Sequence, residues 1–245
     1  MIDVDKYRFL FRRAAVSPLV SCLMVTRNRP VMARRAINCF LRQTYPNREL
    51  VIIDDGRDQT LEQWIKEVGD ARILYLRQPD EGRPLGDLRN LSVAKAGGTY
   101  VTQWDDDDLS DPQRLEVQMA VIHVLQTDCC FLERHQIWWP ETGRLALSTR
   151  RVWEGYFICA KNKLSPYPPL RKGEDTPVIK RIFRENRAAL LDFPSLYVYI
   201  YHGENTFDAP HWEQHWSAAT KTYEKDAYTI KEGKLKKRFG AALTP

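Results

Sequence analysis

Short apolar runs alternate with helical stripes over the first half of the chain. Residues 19–25 form an apolar run that predicts a buried strand, ended by the polar stretch Thr26-Arg27-Asn28-Arg29-Pro30. Met32, Ile37, Phe40 and Leu41 then recur at helical spacing up to Gln43, and Tyr45-Pro46-Asn47 stops the helix. A second buried strand is predicted over residues 50–53, closed by Asp54-Asp55-Gly56. Leu61, Trp64, Ile65 and Val68 mark a helix ended by Gly69, and residues 73–76 a third strand. Leu85, Leu88, Leu91 and Ala94 mark a helix ended by Gly97-Gly98, and residues 100–104 a fourth strand. Strand–helix alternation with short loops implies right-handed crossovers and a mainly parallel sheet. In such a sheet ligands bind beyond the carboxyl ends of the strands. The loops at 26–29, 54–58 and 105–108 should therefore converge on one rim.

Beyond Pro112 the pattern weakens. Leu115, Met119, Ile122 and Val124 predict a helix to about Gln126. Strands are expected at Cys129–Leu132, Gln136–Trp139, 152–160 and 196–201, with a turn at Pro140-Glu141-Thr142-Gly143. Residues 165–172 carry three prolines and predict a loop, and Val178, Ile179 and Ile182 a helix after Asp175.

A length of 245 residues implies one large domain, given ~150 residues per domain. Its expected parts are an N-terminal basic arm (1–17), two halves of one α/β domain (18–110 and 111–221) and a basic tail (222–245). Lys231, Lys234, Lys236, Lys237 and Arg238 make that tail read as a solvated, frayed end. The arm and tail keep open a nucleic-acid-binding reading, or contact with an anionic membrane surface. With 43% hydrophobic and 28% charged residues, disordered and low-complexity classes are excluded. No apolar run approaches the ~18 residues of a membrane span, so the chain reads as cytoplasmic or peripheral to a membrane. Five cysteines without CxxC spacing read as reduced, mostly buried thiols.

The strongest chemical signal is Asp105-Asp106-Asp107-Asp108, directly after the fourth predicted strand. Adjacent carboxylates repel one another, and a hard divalent cation relieves that repulsion. Mg²⁺ uses only one or two protein carboxylates and leaves positions for phosphate oxygens. The competing reading is an acidic turn before the next helix, for which Asp111 alone would suffice as a cap. A calcium loop is rejected, because Leu109 and Ser110 occupy positions that need an oxygen ligand and a glycine. No GxxxxGK[ST], GxGxxG or GxSxG motif occurs in the expected context, which argues against P-loop, dinucleotide-dependent and hydrolase chemistry. A sugar-nucleotide pyrophosphorylase is disfavoured because no Gly-rich loop follows Val25.

Together these segments resemble the family 2 glycosyltransferases over residues 18–206. The resemblance rests on residues 20–29, on Phe40-Leu41-Arg42-Gln43-Thr44-Tyr45-Pro46 and on 49–56. It continues through Arg89-Asn90, residues 96–101 and the aspartates. It implies the GT-A fold, a Rossmann-like parallel sheet flanked by helices with a mixed C-terminal half. It also implies a nucleoside-diphosphate sugar donor, usually UDP-linked, Mn²⁺ or Mg²⁺ as cofactor, and usually inversion at the anomeric carbon. Thr26, Arg27, Asn28 and Asp55 fall in the donor's nucleoside region, and Arg89 matches a basic residue near the donor. Asp105 and Asp107 match the family's Asp-x-Asp pair, with Asp107 as the metal ligand and Asp106 in a slot that is often small. A slip by one residue would make Asp106 and Asp107 the working pair. Arg27 stands where an aromatic residue is usual, so guanidinium stacking on the base is an alternative.

Transfer to a hydroxyl needs a base outside the metal cluster. Lys172-Gly173-Glu174-Asp175-Thr176 resembles the family's Glu-Asp motif, which implies Asp175 as base and Glu174 as its neighbour toward the acceptor. A helix start by itself would hold the Asp175 carboxyl low. His202 is the candidate late metal ligand. A zinc site from His202, His211 and His215 is a weaker alternative, and Trp138, Trp139 and Trp153 are candidate acceptor-groove residues whose ordinary role is core packing. The sugar and the acceptor, whether saccharide, lipid-linked, protein or nucleic acid, are left open.

Overall fold

The computed structural model describes residues 17–79 and 81–243, so the N-terminal arm lies almost wholly outside the described residues. The strands and helices in chain order are β1 (Val20–Thr26), α1 (Pro30–Leu41), β2 (Arg48–Asp54), α2 (Thr60–Val68), β3 (Ile73–Arg77), α3 (Leu85–Lys95) and β4 (Tyr100–Gln103). They continue with β5 (Leu109–Ser110), α4 (Arg114–Leu125), β6 (Cys129–Leu132), β7 (Gln136–Trp139), β8 (Arg144–Leu147) and β9 (Phe157–Ala160). Last come α5 (Asp175–Glu185), β10 (Ala188–Leu191), β11 (Tyr197–Ile200), α6 (Ala209–Ser217), β12 (Lys221–Tyr223) and α7 (Lys225–Phe239).

One sheet has the strand order β10-β6-β9-β4-β1-β2-β3. β1 pairs in parallel with β2 and β4, and β2 with β3, as the apolar runs predict. β9 runs antiparallel to β4 and β6. From β1 the chain first builds outward through β2 and β3, then returns to lay β4 on the other side of β1. This reversal opens a crevice beyond the ends of β1 and β4, where an α/β sheet can take a ligand. A second sheet has the order β12-β8-β7-β11-β5, and Tyr199 of β11 lines the same crevice.

The family-like segment at 40–46 has a packing reason. Gln43 is buried; its carboxamide donates to Asp111 O at 2.7 Å and accepts the Leu115 N–H at 3.1 Å, which joins the end of α1 to the start of α4. Buried Arg48 donates to the carbonyls of Phe40, Tyr45 and Leu41, satisfying the unpaired end of α1. Gly86 allows α3 to start beneath the proline-rich loop, because a Cβ there would stand 1.8 Å from Pro168 O.

Three expectations change. The strand expected over 152–160 is confined to Phe157–Ala160, because residues 152–156 turn to bury Trp153 and Tyr156. The run read as a frayed tail contains helix α7, whose Leu235 and Phe239 enter the main core. Arg238 pairs there with Asp111 at 2.5 Å, so one of the basic residues has a structural partner. Trp138 and Trp153 are buried and none of Trp138, Trp139 and Trp153 lines the cleft described below; Trp153 donates to Glu133 O and Thr149 O. All five cysteines are buried free thiols. Among the described residues no helix is long and apolar enough to cross a membrane.

Candidate active site

The crevice beyond β1 and β4 is a cleft of about 150 Å³. The four aspartates, Arg29 and Arg89 line it from the sheet side, and Glu174 and Asp175 from the start of α5. An adjoining hollow of about 170 Å³ shares Val25, Arg29, Leu85 and Thr206 with it and adds Thr26, Arg27 and Asp55. The rim expected from the strand pattern is thus assembled.

The four aspartates lie on a bend between β4 and β5 and divide by burial. Asp106 and Asp108 are buried, whereas Asp105 and Asp107 keep partial exposure. Asp108 accepts the Tyr197 hydroxyl and the Ile200 N–H, both at 2.8 Å, and so ties the loop to β11. Asp106 accepts the Thr26 hydroxyl at 2.6 Å and pairs with Arg29 at 3.0 Å. Asp105 accepts from Gln103 at 3.0 Å, with Arg89 at 3.5 Å. Burial pushes the Asp106 carboxyl up to about 7, reinforced by Asp107, and pushes Asp105 and Asp108 upward too. Burial opposes charge on Asp107 as well, but the hydrogen bond from His202 and the Arg29 charge hold it below the ordinary carboxylate range.

Asp107 Oδ2 meets Arg29 Nη1 at 3.0 Å and His202 Nε2 at 3.1 Å. The other ring nitrogen of His202, Nδ1, faces the Glu204 N–H at 3.3 Å, so the ring is held between that backbone group and Asp107. His211 and His215 instead meet each other, Nε2 to Nε2 at 2.9 Å. Among the described residues no three His, Cys, Asp or Glu side chains form a metal-holding group, which removes the zinc triad.

Arg89 lies between the two carboxylate clusters, donating to Glu174 at 2.6 Å while facing Asp105. Burial raises Asp175 to about 6, partly offset by Arg89 and reinforced by Glu174. The helix-start effect expected from position alone is thus outweighed. Asn28 lines neither cavity; its side chain accepts the N–H groups of Arg57 at 2.7 Å and Asp58 at 3.2 Å, tying the 26–29 and 54–58 loops together. Arg27 pairs with Asp55 at 3.2 Å.

Sequence reasoning missed two contributors. Arg29 falls in the polar loop and the family-like segment 20–29 with no role of its own, yet it holds both Asp106 and Asp107. Arg114, fully buried beneath the aspartate loop, donates to Ser110 at 2.8 Å and Thr102 at 3.0 Å, and its guanidinium stacks between Trp104 and Tyr197. An arginine among the apolar positions of a buried helix was its one available signal.

Residues 21–170 match the sequence profile of Glycosyl transferase family 2, more than half of the chain, and the chain belongs to that family. Among its relatives is the Escherichia coli (strain K12) colanic acid biosynthesis glycosyl transferase WcaA, 40% identical over 106 residues, or 42% of this chain and 38% of that one. A glycosyltransferase of Haemophilus influenzae without assigned function is 26% identical over 188 residues, 73% of this chain and 67% of its own. The fold is that of the S. aureus TarS 1-349 structure in complex with UDP-GlcNAc: TM-score 0.63 at 19% identity, over 82% of this chain and 61% of that one. The match to WcaA thus spans well under half of that relative, and the match to TarS less than two thirds. These likenesses establish a GT-A fold.

Proposed function

We propose that this protein transfers a sugar from a nucleoside-diphosphate donor, most simply a UDP-sugar, to an acceptor hydroxyl with inversion. The observation that carries the proposal is the single cleft in which Asp105 and Asp107 share walls with Glu174 and Asp175. The adjoining hollow, with Thr26, Arg27 and Asp55, suits the nucleoside. Support for the donor class comes from the family and from the UDP-GlcNAc complex of the TarS neighbour.

The donor set fits a divalent cation that completes its shell with phosphate. Asp107 offers a partly exposed carboxylate and His202 an imidazole, and the crowded acids behind them, pushed upward by burial and by one another, favour a neighbouring cation. Asp107 and His202 would hold the ion, with Asp105 toward the ribose or sugar. Bound there, Mn²⁺ or Mg²⁺ would neutralise charge developing on the leaving diphosphate. Asp175 takes the acceptor proton; a carboxyl raised to about 6 is ionised at neutral pH yet more basic than an ordinary aspartate. Glu174, fixed by Arg89, borders the acceptor side.

The test is release of nucleoside diphosphate from a panel of sugar nucleotides, with and without EDTA. Turnover lost in EDTA and in Asp107→Ala supports the proposal; full turnover in either contradicts the metal-dependent form.

A further inference from the structure

The cleft holds more acid than base. Its lining cations are Arg29, Arg89 and Lys172. Arg29 is engaged by Asp106 and Asp107, and Arg89 by Glu174 and Asp105. Lys172 has no carboxylate partner among the described residues; its ammonium rests 4.1 Å from the centre of the Phe207 ring. The neighbouring Arg171 lines the adjoining hollow and not this cleft, and donates to Gly82 O at 2.7 Å.

The Lys172–Phe207 contact joins two loops across the cleft mouth. Phe207 is fixed from behind, because its ring stacks on His211 at 4.1 Å between centroids and 18° between planes. Lys172 is exposed and free to leave. The next residue, Gly173, has φ +70°, and nothing lies within 4 Å of where its Cβ would stand. That conformation suits glycine, and the open space permits the loop to shift.

A nucleoside diphosphate adds several negative charges to a cleft already lined by Asp105, Asp107, Glu174 and Asp175. The one lining cation without a carboxylate to release is Lys172. At contact distance, attraction between unit charges near a protein surface exceeds an exposed cation–π contact several-fold. We infer that Lys172 is a donor-binding residue whose ammonium leaves Phe207 for the diphosphate when the donor enters. The inference rests on the donor reading above and assigns a role to a residue outside the aspartate and Glu-Asp motifs.

Calorimetric titration tests it, using UDP, GDP, ADP and CDP with Mn²⁺ present, then the monophosphate and nucleoside of whichever diphosphate binds. Lys172→Gln should weaken that diphosphate about 10-fold or more, the monophosphate less, and the nucleoside not at all. Lys172→Arg should stay within about 3-fold of the unaltered protein. Equal diphosphate affinity in the unaltered protein and Lys172→Gln overturns the inference and leaves the donor reading intact. An equal loss for the nucleoside also overturns it, since that marks a structural role. If no nucleoside diphosphate binds the unaltered protein, the donor reading itself fails.

Discussion

His202 Nε2 lies 3.1 Å from Asp107 Oδ2, although 95 residues separate them in the chain. The contact brings the end of β11 to the aspartate loop and sets the His202 ring against the Asp107 carboxylate. Asp107→Ala removes one acid from a crowded cluster. The account predicts at least a 100-fold loss of donor turnover with little change in thermal midpoint. His202→Ala should cost about 10–100-fold, the range for groups that orient or complete a metal shell. Initial rates beside melting curves check both, and a collapse of the melting midpoint in Asp107→Ala would mark that residue as structural.

Asp175 gives a pH prediction. A base raised to about 6 must be ionised to act, so kcat/KM falls as pH drops through about 6. Asp175→Asn should lose transfer, keep nucleoside diphosphate binding and remove that limb from the residual rate. The sign for stability is the reverse. A carboxyl raised above its unfolded value destabilises the folded state once the pH passes upward through the unfolded and then the folded value. Asp175→Asn should therefore melt higher at pH 7.5, by ~2–4 °C for a gain of order 1 kcal/mol.

The Arg89–Glu174 pair is buried, with side-chain exposures of 12% and 3%, so neither charge is left to water. Arg89→Met strands Glu174 and should destabilise by about 3–5 kcal/mol. Adding Glu174→Gln should recover a large part of the loss. Urea unfolding of the two single variants and the double variant measures the coupling; an additive double variant would contradict the pairing.

Helix α7 is structural. Phe239 is 1% exposed, so Phe239→Ala should cost about 3–5 kcal/mol, whereas the exposed Lys234→Ala should stay within ~0.5 kcal/mol. Urea midpoints check both, and equal effects would contradict the packing described for α7.

β2 was legible because a buried parallel strand reads as an unbroken apolar run, as at Val51, Ile52 and Ile53, and β3, though none of its residues is fully buried, still carries a short apolar run. The aspartate loop and α5 were legible as motifs. Other parts carried little pattern: β5 has two residues, β12 is a mostly exposed edge, and α7 anchors itself through two apolar side chains among many lysines. Within the aspartates only the family resemblance sets Asp105 and Asp107 apart; four identical adjacent residues carry no pattern that shows which are buried. That division arises from tertiary partners, Thr26 and Arg29 on one side and Tyr197 and Ile200 on the other. The elevated Asp175 was likewise invisible, because burial at the start of α5 depends on packing from distant segments.

The central claim is that one carboxylate, Asp107, couples a divalent cation to a nucleoside diphosphate in this cleft. Calorimetry of UDP with the unaltered protein and with Asp107→Ala, each with Mn²⁺ and with EDTA, tests it most directly. The account predicts binding by the unaltered protein that requires Mn²⁺ and is lost in Asp107→Ala. Equal UDP affinity in all four titrations would contradict it.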